Sequence, residues 1–185
     1  MPLKNAEVYL NTAVYQLRKA LSVHGFKEIV ISGQEKYRIE LSHVDVDFIQ
    51  FEQGMELLAK IHTDNEAVAV ELEKQVVGEL LEDRSFAWAI TERESLNILY
   101  VSYANELMSW LFTCDKYLEA LRIGRRIIER DAFDEKANRL LMHILGTMGD
   151  KHALHRHYQQ YVEMMQQELN LEPSVTMQQL YSEYK

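Results

Sequence analysis

Apolar residues recur along most of this chain at helical spacing, and one short stretch breaks the rhythm. Leu10, Val14, Leu17 and Leu21 return at intervals of four, three and four, which puts them on one face of a helix over Glu7–Leu21. Asn11, Thr12, Tyr15, Arg18 and Lys19 fall on its other faces, and Gly25 ends the pattern. Then Ile29-Val-Ile31 and Tyr37–Leu41 flank a turn at Ser32-Gly33-Gln34. β-Branched residues on both sides of a Gly-containing turn predict a β-hairpin. Ser42 to Asp45 reads as a link. From Val46 onward the period is helical, and helices are predicted over 46–61, 65–81, 87–113, 117–130, 134–147, 151–168 and 175–184. Asp64-Asn65 and Asp83-Arg-Ser85 are polar breaks and candidate N-caps, and Gly149 and Pro173 mark later breaks.

A shift of 34 residues maps Ala120 onto Leu154, Arg122 onto Arg156, Ile127 onto Tyr161 and Ile128 onto Val162. That period belongs to tetratricopeptide-type helical hairpins, whose apolar faces are buried only by stacking on neighbours. Trp88, Leu96, Leu99, Tyr103, Leu107, Trp110 and Leu111 repeat through 87–113 and read as filling between hairpins. The alternative is that some of these aromatics anchor a partner.

Composition adds little to this picture and charge adds more. The 185 residues are 47% hydrophobic and 26% charged, ordinary for a globular protein, and seven Gly and two Pro favour long helices. Net charge is −9. Residues 1–41 carry six Lys/Arg against four Glu, so the head is +2 and the remainder −11. A basic head on an acidic body fits a nucleic-acid-facing end and a protein-facing end; chance is the other explanation. Cys114 is the only cysteine, which rules out an intrachain disulfide and fits a reducing cytoplasm. Its place at a helix end points to a structural thiol rather than a nucleophile. No apolar run of about 18 residues occurs and no signal pattern is seen, which predicts a soluble, cytoplasmic protein with no membrane partner.

Little in the body suggests chemistry. His143, His152, His155 and His157 form a loose cluster, but no Cys or carboxylate completes a ligand set, and they read as solvated helix histidines with no metal. Glu71/Glu73 and Glu92/Glu94 are two apart, so each pair diverges on a helix. There is no phosphate-cradling glycine loop and no nucleophile elbow. A non-enzymatic protein without a cofactor is expected.

The head has the layout of a winged helix: a helix bearing Arg18 and Lys19, then a hairpin bearing Lys36 and Arg38. In that arrangement Asn11, Thr12 and Tyr15 reach base edges, while Arg18, Lys19 and Lys36 meet phosphates. The competing reading leaves Arg18 and Lys19 solvated, or paired with Glu7 or Glu28.

Tyr9-Leu-Asn-Thr-Ala-Val-Tyr-Gln-Leu-Arg-Lys-Ala-Leu21 resembles the recognition helix of winged-helix transcription regulators that carry a bacterial transcriptional activator domain. Gly33 to Leu41, with Tyr37-Arg38, looks like their wing, and Val44-Asp-Val-Asp-Phe48 with Phe51 and Gly54 looks like the junction into that domain. Gly78-Glu-Leu-Leu-Glu82, Trp88-Ala and Glu92-Arg-Glu94 are similar to its middle. Leu140-Leu-Met142, Gly149, Tyr158 and Glu168–Ser174 are similar to its last part. The resemblance implies a mainly α chain: a TPR-like helical-hairpin array, residues 43–185, preceded by the C-terminal part of a winged-helix DNA-binding domain, residues 1–42. It implies a DNA-binding transcriptional regulator of the antibiotic-pathway or response-regulator kind. Its partners would be double-stranded DNA and a protein such as RNA polymerase or a second copy, the latter making a homodimer. By position the DNA-reading residues would be Asn11, Thr12, Tyr15, Arg18 and Lys19, with Lys36 and Arg38 on the wing. Because the chain starts almost at the recognition helix, the stripe from Leu10 to Leu21 is expected to seek cover on another surface. A helical adaptor that binds a protein or peptide without touching DNA is the alternative reading.

Overall fold

The computed structural model describes residues 3–26, 28–33, 36–82 and 85–184. Two compact units emerge, residues 1–50 and 51–185. In the first, α1 (Leu3–Val23) precedes an antiparallel hairpin of β1 (Val30–Gly33) and β2 (Lys36–Ile39). In register, Val30 faces Ile39, Ile31 faces Arg38, Ser32 faces Tyr37 and Gly33 faces Lys36. The expected hairpin is therefore present, shifted along the chain. Ser32 and Gly33 belong to the strand rather than the turn, and Gln34 lies outside the described residues. The small core of this unit is Val14, Ile29 and Val30, with Leu21 and Val44 packed on it. Of the predicted apolar stripe, Val14 is buried and Leu21 half-buried, whereas Leu10 and Leu17 remain exposed. Too few hairpin residues face α1 to cover all four.

The other helices are α2 (Asp47–Leu58), α3 (Glu66–Gln75), α4 (Ile90–Thr113), α5 (Tyr117–Arg130), α6 (Glu135–Thr147), α7 (Lys151–Met164) and α8 (Val175–Tyr184). Eight α-helices thus make up most of the described chain. From α4 to α7 each helix packs on the next, and alternate helices α4, α6 and α8 also touch, the pattern of hairpins stacked side by side.

The 34-residue period extends further than the helix pairs that suggested it. Leu107, Met108 and Leu111 of α4 correspond to Leu141, Met142 and Leu145 of α6, and all six are buried. Ala120 and Ile127 of α5 correspond to Leu154 and Tyr161 of α7, also buried. The turns repeat too. Asp115 and Gly149, 34 residues apart, both adopt left-handed backbone, at φ 56° and 74°. In each turn the next amide reaches back to close the helix end, Lys116 N to Leu111 O at 2.9 Å and Asp150 N to Leu145 O at 3.0 Å. Repeat units are therefore α4–α5 and α6–α7. Asp134 and Asp150 cap the following helices by accepting from Ala137 N at 2.7 Å and Ala153 N at 2.9 Å. Asn65, also an expected cap, instead ties the preceding loop: its Oδ1 accepts from His62 N and its Nδ2 donates to Lys60 O. Asp83 and Arg84, expected at the next break, lie outside the described residues.

Three expected helices end differently. The one predicted over 46–61 stops at Leu58, before Ala59 in left-handed conformation at φ 49°. The one predicted over 65–81 stops at Gln75, because side chains from α4 and α5 take the carbonyls that follow. The one predicted over 151–168 widens into a π-turn at Met165–Leu169 and closes on Asn170 in left-handed conformation at φ 53°. Pro173 then precedes Ser174, whose hydroxyl donates to Glu135 Oε1 at 2.7 Å and accepts from Met177 N at 3.3 Å, starting α8. Tyr181 of α8 lies flat on Tyr158 of α7, with ring centres 4.0 Å apart.

Gly124 lets α5 sit close to both neighbours. A Cβ there would stand 2.6 Å from Met108 Cε and 2.7 Å from Leu141 Cδ2. Gly124→Val should therefore cost about 1–3 kcal/mol through overpacking. A urea melt of the variant is expected to show a lowered midpoint with an unchanged slope.

Candidate functional site

In the N-terminal unit, the hairpin is fastened to α1 by polar contacts as well as by its small core. Arg18 donates from Nε and Nη2 to Val30 O, at 3.2 and 2.8 Å, and from Nη2 to Ser32 Oγ at 2.8 Å. Tyr37 donates its hydroxyl to Asn11 Oδ1 at 2.5 Å, and Arg18 stands over the Tyr37 ring at 5.8 Å. Arg18 is thus neither solvated nor paired with Glu7 or Glu28; it holds the hairpin. Because facing residues share one side of a hairpin, Tyr37 and Ser32 lie on the side turned to α1. Lys36 and Arg38 lie together on the other side, both exposed. Among the described residues Arg38 has one weak partner, Glu40 at 4.0 Å. Tyr15 and Lys19 are exposed on α1. Thr12 is exposed, and its hydroxyl donates back to Val8 O at 2.8 Å.

Within the helical unit, the most heavily bonded group is Glu73, whose side chain is fully buried. Tyr100 donates to its Oε1 at 2.9 Å and Arg122 to its Oε2 at 2.7 Å, and Arg126 pairs closely with Oε1. Arg126 also donates to Val76 O, and Arg130 to Gly78 O at 2.9 Å. Arg93 of α4 donates to Leu80 O and Leu81 O, each at 2.8 Å. Three arginines four residues apart on α5, and one on α4, therefore hold the chain from Glu73 to Leu81. This is why α3 ends early: the carbonyls that would carry it on are satisfied by guanidinium groups. Tyr100 lies under the arginines, its ring 4.2 Å from Arg130 and 5.4 Å from Arg126. Burial, and then the Glu73 charge, push the Tyr100 hydroxyl well above the ordinary phenol range, so it stays a donor.

Sequence spacing separated Glu71 from Glu73 correctly, since Glu71 is exposed. It missed that Glu73 faces inward. The signal was present: Glu73 follows Ala69 by four and Val70 by three, so it sits on the buried stripe, and Arg122, Arg126 and Arg130 share one face of α5. Two other expectations need correction. Trp88 is not filling; it is 69% exposed and stacks on Phe86, itself exposed, with ring centres 5.7 Å apart. It lies in a 3-10 turn, Ala87–Ala89, before α4 begins, so helical spacing did not govern it. The histidines are not all solvated. His152 and His155 are exposed, but His143 and His157 are half-buried, and His157 Nε2 has no hydrogen-bond partner among the described residues. Cys114 is half-buried at the end of α4. Among the described residues no three His, Cys, Asp or Glu are placed to hold a metal ion, and no helix is long and apolar enough to cross a membrane.

Residues 46–184 match the bacterial transcriptional activator domain, and the chain belongs to that family. It is a non-enzymatic regulatory domain found in SARP-type transcriptional activators. No curated protein matches the chain.

Glu73→Ala leaves Arg122 and Arg126 facing each other without their anion. It should cost about 3–5 kcal/mol, as for a buried pair broken on one side. The urea midpoint of the variant measures this. His157 supplies a pH test. Burial, partly offset by a backbone contact at Asn138, holds its ring below the ordinary 6.5. The unfolded chain then takes up the proton first, so stability is present above 6.5 and falls as pH drops through that value towards the folded one. His157→Asn should flatten the part of the stability–pH curve just below neutrality.

Proposed function

We propose that the chain is a DNA-binding transcriptional regulator of the antibiotic-pathway or response-regulator kind, acting in the cytoplasm. Residues 1–42 are read as the C-terminal part of a winged-helix DNA-binding domain. Residues 43–185 are read as the activator domain, which contacts a protein such as RNA polymerase or pairs with a second copy. The observation that carries this reading is the family match over 46–184, behind a helix and hairpin that expose Lys19, Lys36 and Arg38. On this reading Asn11, Thr12, Tyr15, Arg18 and Lys19 lie along the helix that enters the major groove. Lys36 and Arg38 serve the wing. Arg18 has a second duty, since its bonds to Val30 O and Ser32 Oγ set the angle of that wing.

The other reading is a helical adaptor without DNA binding. What favours it is that Asn11 and Arg18 already have partners within the unit. Salt-dependent binding to duplex DNA decides between them, measured on full-length protein with DNA from upstream of the genes it controls. Lys19→Ala and Arg38→Ala are each expected to lower the slope of log K against log salt by about 1, as for one lost phosphate contact. Slopes unchanged in both variants would remove those residues from the interface, and absence of any duplex binding at low salt would leave the adaptor.

A further inference from the structure

A shallow groove of about 390 Å³ opens between α6 and α8, with Ser109 of α4 also lining it. Leu140 and Leu180 give it an apolar lining. Lys136 and Arg139 stand on the α6 side, and Gln179 and Glu183 on the α8 side. Arg139 is the informative residue. The half-buried arginines at 93, 122, 126 and 130 are engaged with carboxylates or carbonyls. Arg139 is half-buried as well, yet neither it nor Lys136 has an anionic partner within ion-pair reach among the described residues. A partly desolvated guanidinium without an anion is an unfilled electrostatic demand. Nearby His143 does not add a third charge. Burial and then Arg139 keep its ring below the ordinary histidine range, and its Nδ1 lies 3.4 Å from the Tyr184 hydroxyl.

We propose that this groove docks a short acidic segment of a partner protein, whose carboxylates pair with Arg139 and Lys136 and whose apolar side chain lies on Leu140 and Leu180. The inference rests on the reading that the helical domain makes protein contacts, and it gives one of those contacts a chemistry. Charge selects the occupant. Two cations on one wall of the groove complement the few carboxylates of a short segment. Glu183 opposite them keeps the segment's charge at the α6 wall.

The test uses the whole chain and a short fluorescent peptide of alternating Glu and Leu, followed by anisotropy at low ionic strength. Wild type is expected to bind it. K136E/R139E should weaken binding about tenfold or more, E183K should tighten it, and a Lys–Leu peptide should prefer K136E/R139E. Melting curves check that the variants fold, and R139Q repeats the test with a gentler change. Equal binding of the Glu–Leu peptide by wild type and variants would overturn the proposal. So would duplex DNA that displaces the peptide from wild type and fails to bind K136E/R139E. Sedimentation separates the two levels of the argument: self-association that persists in a protein whose peptide binding ignores these substitutions removes the groove and leaves the protein-contact reading standing.

Discussion

A carboxylate with no exposed surface organises the front of the helical unit. Glu73 cannot be buried alone, because an unpaired charge in a low-dielectric interior costs far more than a lost surface contact. Its environment meets that demand in full: two guanidinium groups from α5 and one phenol from α4 converge on its two oxygens. Arg126 reaches past it to the backbone of Val76, and Arg130, one turn further along α5, to that of Gly78. One anion thus fixes where α3 stops and how the following segment runs. It also fixes which face of α5 turns towards α3. Beside it, apolar packing joins α2 to α4 through Phe51, Tyr100 and Tyr103. The charge network sets the register of α3 against α5, since guanidinium–carboxylate geometry is directional and apolar contact is not.

Behind that front the structure is governed by repetition. α4–α5 and α6–α7 use equivalent buried positions and equivalent left-handed turns, although one turn carries Asp115 and the other Gly149. Glycine adopts such a backbone without strain, whereas Asp is tolerated there because its short polar side chain bonds locally. Gly124 sets the close approach of three helices in the first pair, and the corresponding position in α7 is Tyr158, which stacks on α8 instead. The second pair therefore meets its neighbour through an aromatic surface rather than through bare backbone.

The helical spacing was legible from sequence because amphipathic periodicity survives in α5, α6 and α7, where one face is buried and the other is wet. Boundaries were read less well wherever side chains from elsewhere took over the backbone. Nothing local in Gln75-Val-Val77 announces a helix end; the arginines that impose it lie about fifty residues away. Trp88 was misplaced for a related reason, since a 3-10 turn at Ala87–Ala89 interrupts the phase on which helical counting depends. In the N-terminal unit the candidate residues were visible as types, but their division was not. Asn11 and Arg18 turn to the hairpin while Lys36 and Arg38 turn from it, and that follows from a strand pairing that composition does not reveal.

The pairing of Ser32 with Tyr37 has a corollary for how such a unit can vary. Neighbouring side chains of β2 alternate between the two sides of the ribbon, so Tyr37 points to α1 and Arg38 points out. Slipping one strand past the other by a single step would invert every side chain at once, presenting the phenol to water and tucking both cations inward. Substitution can therefore tune the outer charge one residue at a time, whereas a residue inserted or deleted within a paired strand shifts its phase and swaps the inside for the outside.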